Sequence, residues 1–189
     1  MDSFCEQILK KKKGALEWAI IIGTLLLALV LVFLMFIALY ANNAISGMFI
    51  LLLAGIIYGA WWLITTQNVE FEYCVTNGDI DIDQITARRK RKRLVAVSGR
   101  KIQSLLPYDP TAPVGKYDRR VMVAPSLKED GLWCFTYHSK KNGNTFVVFR
   151  PDMRVLCALY AGLPKLVQMD TDRAARAAGI DLKAGNNAE

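Results

Sequence analysis

The chain has 189 residues, 53% of them hydrophobic, and carries 24 Lys and Arg against 17 Asp and Glu, for a formal charge of +7. The two excesses are segregated: Gly14 to Ile64 contains no Lys or Arg and one acid, Glu17, with four lysines before it and 20 cations after it. A charge gap of that length is a membrane signal, and the remaining 125 residues from Thr65 onward allow at most one soluble domain with its own core.

Residues 1–14 read as a basic cytoplasmic N-terminus. Trp18 to Tyr40 is a run of 23 uncharged residues, which as a helix rises roughly 34 Å against a hydrocarbon core of ~30 Å. Ile45 to Ile64 supplies 20 more, about 30 Å by the same rise. The connection Ala41, Asn42, Asn43 and Ala44 is too short for anything but an antiparallel return. The sequence thus predicts a transmembrane helical hairpin within 15–64, spanning at 18–40 and 45–64, with both termini on one side. Lys10, Lys11, Lys12 and Lys13 stand directly before the first helix and assign that side to the cytoplasm of a cell membrane. Trp18, Tyr40, Trp61 and Trp62 lie where interfacial aromatic rings belong. The competing reading, a cleaved signal peptide, meets an apolar run longer than the usual ~7 to 15 residues and no small-x-small cleavage site. Gly55 and Gly59 form a G-x-x-x-G pair that admits close approach of another helix. Packing inside the hairpin satisfies it without a second copy, so a homo-oligomer is not required.

Beyond the membrane segments the pattern changes to alternation. Val69, Phe71, Tyr73 and Val75 share one parity, opposite Glu70 and Glu72, as a half-buried strand requires. Asn77 and Gly78 supply a tight hairpin turn, and Ile80 and Ile82 alternate with Asp79, Asp81 and Asp83 in a second strand. Leu94 to Val97, Ile102 to Leu106, Val121 to Ala124, Leu132 to His138 and Thr145 to Arg150 read as further strands, the second of these as strand or loop. Pro110, Pro113 and Gly115 mark an irregular loop. Pro151 and Asp152 open a helix with Met153, Leu156, Cys157 and Tyr160 on one face. The domain runs over 65–168, and 169–189 is a tail with a short exposed helix near Asp170 to Gly179. The fold class is a membrane α-helical hairpin plus a mainly-β cytoplasmic domain, a strand barrel or sandwich capped by a C-terminal helix.

The hairpin YCVTNGDIDID from Tyr73 to Asp83, the segment SGRKI from Ser98 to Ile102, and the junction at Phe149, Arg150 and Pro151 resemble bacterial pleckstrin-homology-like (PH-like) domains attached to membrane helices. The whole chain is similar to small two-helix membrane proteins of clostridia-like bacteria. The resemblance covers about Val69 to Leu166 and implies a strand barrel closed by a helix; for the bacterial group it carries no known activity. Eukaryotic relatives that bind phosphoinositides place basic residues around the first hairpin loop. Asn77, Gly78 and Asp79 stand there instead, so an inositol-phosphate pocket at that loop is not implied.

Arg88, Arg89, Lys90, Arg91, Lys92 and Arg93 are six consecutive cations. The second strand returns the chain toward its starting level by Arg88, so the run is the candidate lipid-binding segment, each cation near an anionic surface contributing around 1 kcal/mol. The alternatives are a solvated charged strand and nucleic-acid binding, the latter disfavoured because no aromatic residue is interleaved to stack bases. Asp79, Asp81 and Asp83 imitate the start of a calcium loop, but Gln84 and Lys90 occupy the positions that need Gly and Glu, so the acids read as the wet face of a strand. Cys5, Cys74, Cys134 and Cys157 are scattered, with His138 the only histidine, so no metal and no cofactor is expected. Gly115 and Lys116 do not complete a phosphate loop, and no nucleophile motif partners His138. The expected function is non-enzymatic: a membrane-anchored module binding a protein partner, anionic phospholipid, or both. The alternative is an accessory subunit of a transport or secretion complex assembled through the hairpin.

Overall fold

The computed structural model describes residues 4–41, 46–111, 115–127, 129–180 and 182. The chain divides into two compact units. The first holds two helices together with segment 86–89; the second holds the strands and the two C-terminal helices.

In the helical unit, α1 (Ala15–Ala41) and α2 (Ser46–Thr66) pack together. Glu17 Oε2 accepts the Gly14 N–H at 2.9 Å, an acid at the positive end of α1. Ile21 and Met35 of α1 are buried, and Thr24, Ala28, Val32 and Ala38 half-buried, a stripe recurring every three or four residues. The rest of α1 exposes leucine, valine, isoleucine and phenylalanine. The Thr24 hydroxyl donates to Ile20 O, Thr65 to Trp61 O and Thr66 to Leu63 O, so these polar groups are satisfied within their own helices. Ala15–Tyr40 is long and apolar enough to cross a membrane, whereas the apolar stretch Ile50–Thr66 of α2 is shorter. The connection at Asn42, Asn43 and Ala44 lies outside the described residues, as do Ile45, Pro113 and the final Gly185, Asn186 and Asn187.

The second unit contains two four-stranded sheets. One has the order β1 (Phe4–Lys10), β2 (Val69–Thr76), β3 (Asp79–Thr86), β4 (Lys90–Val97). The other has the order β5 (Ile102–Pro107), β7 (Trp133–Ser139), β8 (Gly143–Phe149), β6 (Arg119–Met122), with β6 parallel to β8. Tyr73 and Phe149 meet edge to face at 5.8 Å, and Phe149 meets Phe135 at 5.2 Å, joining the sheets through a core that includes Val75, Ile80, Ile82, Leu105 and Val147. The buried Tyr73 hydroxyl donates to Val123 O and accepts the Arg150 N–H. Burial holds its pKa above the usual phenol range.

Three features depart from the sequence reading. The basic N-terminus, 1–14, includes a full strand: β1 pairs with β2 from Phe4 opposite Thr76 to Lys10 opposite Glu70. Its exposed positions Phe4, Glu6, Ile8 and Lys10 mix apolar with charged residues, so no period-two pattern announces it. Gln7 ties it down: Nε2 donates to Arg150 O at 3.4 Å, and Oε1 accepts the Asp152 N–H at 2.8 Å. The domain therefore starts before the helices, and 65–168 omits its first strand. Of the tail, residues 169–180 and 182 likewise belong to the packed unit. After α3 (Met153–Ala161), capped by Asp152 on Val155 N, comes α4 (Lys165–Ala177), which buries Val167, Thr171 and Ala175. Thr171 Oγ1 donates to Leu105 O at 2.9 Å and Leu182 is buried; a threonine at the centre of the buried face conceals the apolar stripe. Finally, β4 begins at Lys90, so most of the basic run is strand.

Candidate functional site at the β3–β4 turn

Two hairpin turns carry the chemistry of the first sheet. At the β2–β3 turn Asn77 and Gly78 have φ of 52° and 80°, the positive pair of a type I′ turn, supplied by residues suited to it. The backbones of Gly78, Gly99 and Gly162 converge there so closely that a Cβ at Gly99 would stand 2.9 Å from Gly162 O. Asp79 Oδ1 accepts the Gly99 N–H at 3.2 Å. The Asn77–Asp79 loop is thus packed on the end of α3. An open cleft beside it, about 590 Å³, is lined by one carboxylate, Asp79, and two cations, Arg100 and Lys165.

The β3–β4 turn has the same conformation with unsuited residues. Ala87 and Arg88 both have φ of 55°, and Arg89 N–H closes the turn on Thr86 O at 3.1 Å. Left-handed backbone costs a residue with a Cβ roughly 1–2 kcal/mol. The turn is held by the end of α2: Ala87 N–H donates to Asn68 O at 2.8 Å, and the Arg89 guanidinium lies over the Trp61 ring, 4.9 Å from its centroid. Trp61 in turn packs beside Tyr58, with centroids 5.8 Å apart.

The six cations predicted as one lipid-binding run are therefore not equivalent. Arg88 and Arg89 belong to the turn at the helical hairpin. Arg91 pairs with Glu72 and reaches Asp83 at 3.5 Å; Arg93 reaches Asp83 at 3.2 Å and Asp81 at 3.4 Å. Hydrogen bonding to Glu72 raises the pKa of Arg91, and bonding to Asp83 that of Arg93. Lys90 and Lys92 are exposed. Asp83 is 7% exposed, so the acids are not uniformly a wet face: the two arginines cover it. Of the predicted aromatic belt, Trp61 acquires a specific role that no spacing in the sequence indicates.

Lys10 ends β1, and Lys11, Lys12 and Lys13 lead into α1. A Cβ at Gly55 or Gly59 would meet none of the described residues within 4 Å. His138 Nδ1 is 2.9 Å from Asn144 Oδ1. Cys157 is buried, and Cys5, Cys74 and Cys134 are half-buried. Burial pushes the Cys134 thiol up to about 11. Among the described residues no three His, Cys, Asp or Glu side chains are grouped to hold a metal ion.

No curated protein and no solved structure matches the chain. Residues 1–169 match the family described as Bacterial PH-like domain (DUF6106), and the chain belongs to that family.

Proposed function

We propose that the protein is a two-pass membrane protein whose PH-like module works at the cytoplasmic face, reading anionic lipid headgroups with Arg88 and Arg89. A PH-like domain suggests a lipid- or protein-binding module. Membrane insertion is supported by the exposed apolar surface of α1, which water would not tolerate on a stable helix. Two passes are supported by strand pairing: β1 precedes α1 and β2 follows α2, yet both lie in one sheet. Residues on either side of the helices must then share one side of the bilayer, and the chain between them crosses an even number of times. Lys10 to Lys13 favour the cytoplasm for that side.

The observation that carries the lipid reading is the strained Ala87–Arg88 turn bound to Asn68 and Trp61. It associates two cations with the end of an apolar helix, at an aromatic ring of the kind that occupies the headgroup layer. The test is full-length protein exchanged into nanodiscs of mixed neutral and anionic lipid, with the lipid retained per protein measured after delipidation. Wild type should enrich anionic lipid in a salt-sensitive manner, and Arg88→Gln with Arg89→Gln should remove the enrichment. Equal enrichment by the double variant would overturn the assignment.

The second reading, an accessory subunit assembled through the hairpin, is favoured by the open space at Gly55 and Gly59. Bulky substitutions there would abolish assembly with the larger complex while leaving lipid enrichment intact.

A further inference from the structure

α4 has two faces of different character. Val167, Thr171 and Ala175 recur every four residues and are buried, with α4 packed along β5. On the opposite face Leu166, Met169, Asp170, Arg173 and Arg176 are all exposed. Leu166 at 72% and Met169 at 65% are the most exposed large apolar side chains among the described residues of the strand-containing unit. Neither Asp170 nor Arg173 forms an ion pair with a described residue, although the two lie within one turn of each other. A shallow hollow of about 350 Å³, lined by Met169, Asp172, Arg173 and Arg176, opens on the same helix.

We infer that this face of α4 is a docking surface for a second copy of the chain, the two helices running antiparallel about a twofold axis between Thr171 and Asp172. In that register Asp170 stands opposite the partner's Arg173, and symmetry sets Arg173 opposite the partner's Asp170. Leu166 stands opposite the partner's Ala177, and Met169 faces the hollow of the other copy. The choice of occupant follows from charge. A partner of one sign would leave either Asp170 or Arg173 unanswered, and an anionic surface would be repelled by Asp170 and Asp172. A second copy turned end for end supplies both signs in the required order. Helices of 13 residues, ~20 Å long, cover less than the ~800 Å² per partner of a standard interface, so the association is weak and reversible.

The test uses full-length protein in neutral detergent, followed by sedimentation over a range of protein concentrations, which should show a reversible monomer–dimer equilibrium. Asp170→Arg and Arg173→Asp shift the net charge in opposite directions, yet each should weaken dimerisation by roughly tenfold, because two attractive pairs per dimer become repulsive. The double change Asp170→Arg with Arg173→Asp should restore it to within about twofold of wild type. Leu166→Asp, at an exposed site, should weaken it as well. Lys141→Glu, exposed on the β7–β8 turn, alters net charge as much as Arg173→Asp and should leave dimerisation unchanged. Amide spectra of each variant report the fold. A monomer at every concentration, a dimer indifferent to both single reversals, or a double variant weaker than either single one would each overturn the proposal, the second by assigning association to another surface such as the helical hairpin. None of these outcomes depends on anionic lipid or on membrane topology, so failure here is distinguishable from failure of the headgroup reading.

Discussion

The two hairpin turns of the first sheet share a backbone conformation and differ in everything else. Asn77 and Gly78 suit positive φ and fit beneath Gly162, so that turn is explained by the fold alone. Ala87 and Arg88 do not suit it, and nothing in the strand pairing demands an arginine there. A conformation maintained against local preference points to a use outside the fold, and the ring of Trp61 beneath Arg89 indicates where that use lies. The same contrast runs through the basic segment: Arg91 and Arg93 answer buried or half-buried carboxylates, while Arg89 answers the end of α2.

The sharpest way to break the comparison is Gly78→Val. Its side chain would meet the Gly162 backbone at φ of 80°, so overpacking and backbone strain together should cost about 3 kcal/mol or more, read as a large fall in Tm. Lipid enrichment by whatever remains folded should be normal. Next comes the double change Arg88→Gln with Arg89→Gln, which should lower anionic headgroup affinity by roughly 30-fold, two cations at around 1 kcal/mol each, with a smaller fall in Tm than Gly78→Val because the fold loses exposed contacts such as that of Arg89 with Trp61 rather than core packing. Equal loss from Arg91→Gln with Arg93→Gln would erase the division of the basic run. Arg88→Gly carries opposite signs: relieving left-handed strain should stabilise the protein by about 1 kcal/mol while reducing lipid enrichment. A loss of both would mean that the arginine serves the fold. Trp61→Leu removes the ring beneath Arg89 and should weaken headgroup binding two- to fivefold, about 0.5–1 kcal/mol.

A smaller, independent check concerns the second sheet. Burial raises the Cys134 thiol from 9.0 to about 11. Because the folded value lies above the unfolded one, its contribution to stability is intact below pH 9 and is lost as pH rises toward 11. Alkylation of Cys134 at pH 9 should accordingly be roughly 50-fold slower in the native protein than after unfolding.

What the sequence determines by itself is whatever depends on neighbours along the chain. An uncharged run long enough to span, a parity alternation from Val69 to Val75, the Asn77–Gly78 turn and the Asp152 cap are each readable because helix, strand and turn energetics are local. What only the tertiary structure decides depends on partners far away. β1 becomes a strand because β2, separated from it by both helices, offers the complementary edge and Gln7 finds Arg150 and Asp152. α4 packs through a threonine because Leu105 O accepts its hydroxyl. Cations adjacent in the sequence take different roles because carboxylates on β2 and β3 lie within reach of Arg91 and Arg93, and an indole ring lies within reach of Arg89. A charge repeats no period and names no partner; its role is set by which opposite charge or ring the fold brings within a few ångströms of it.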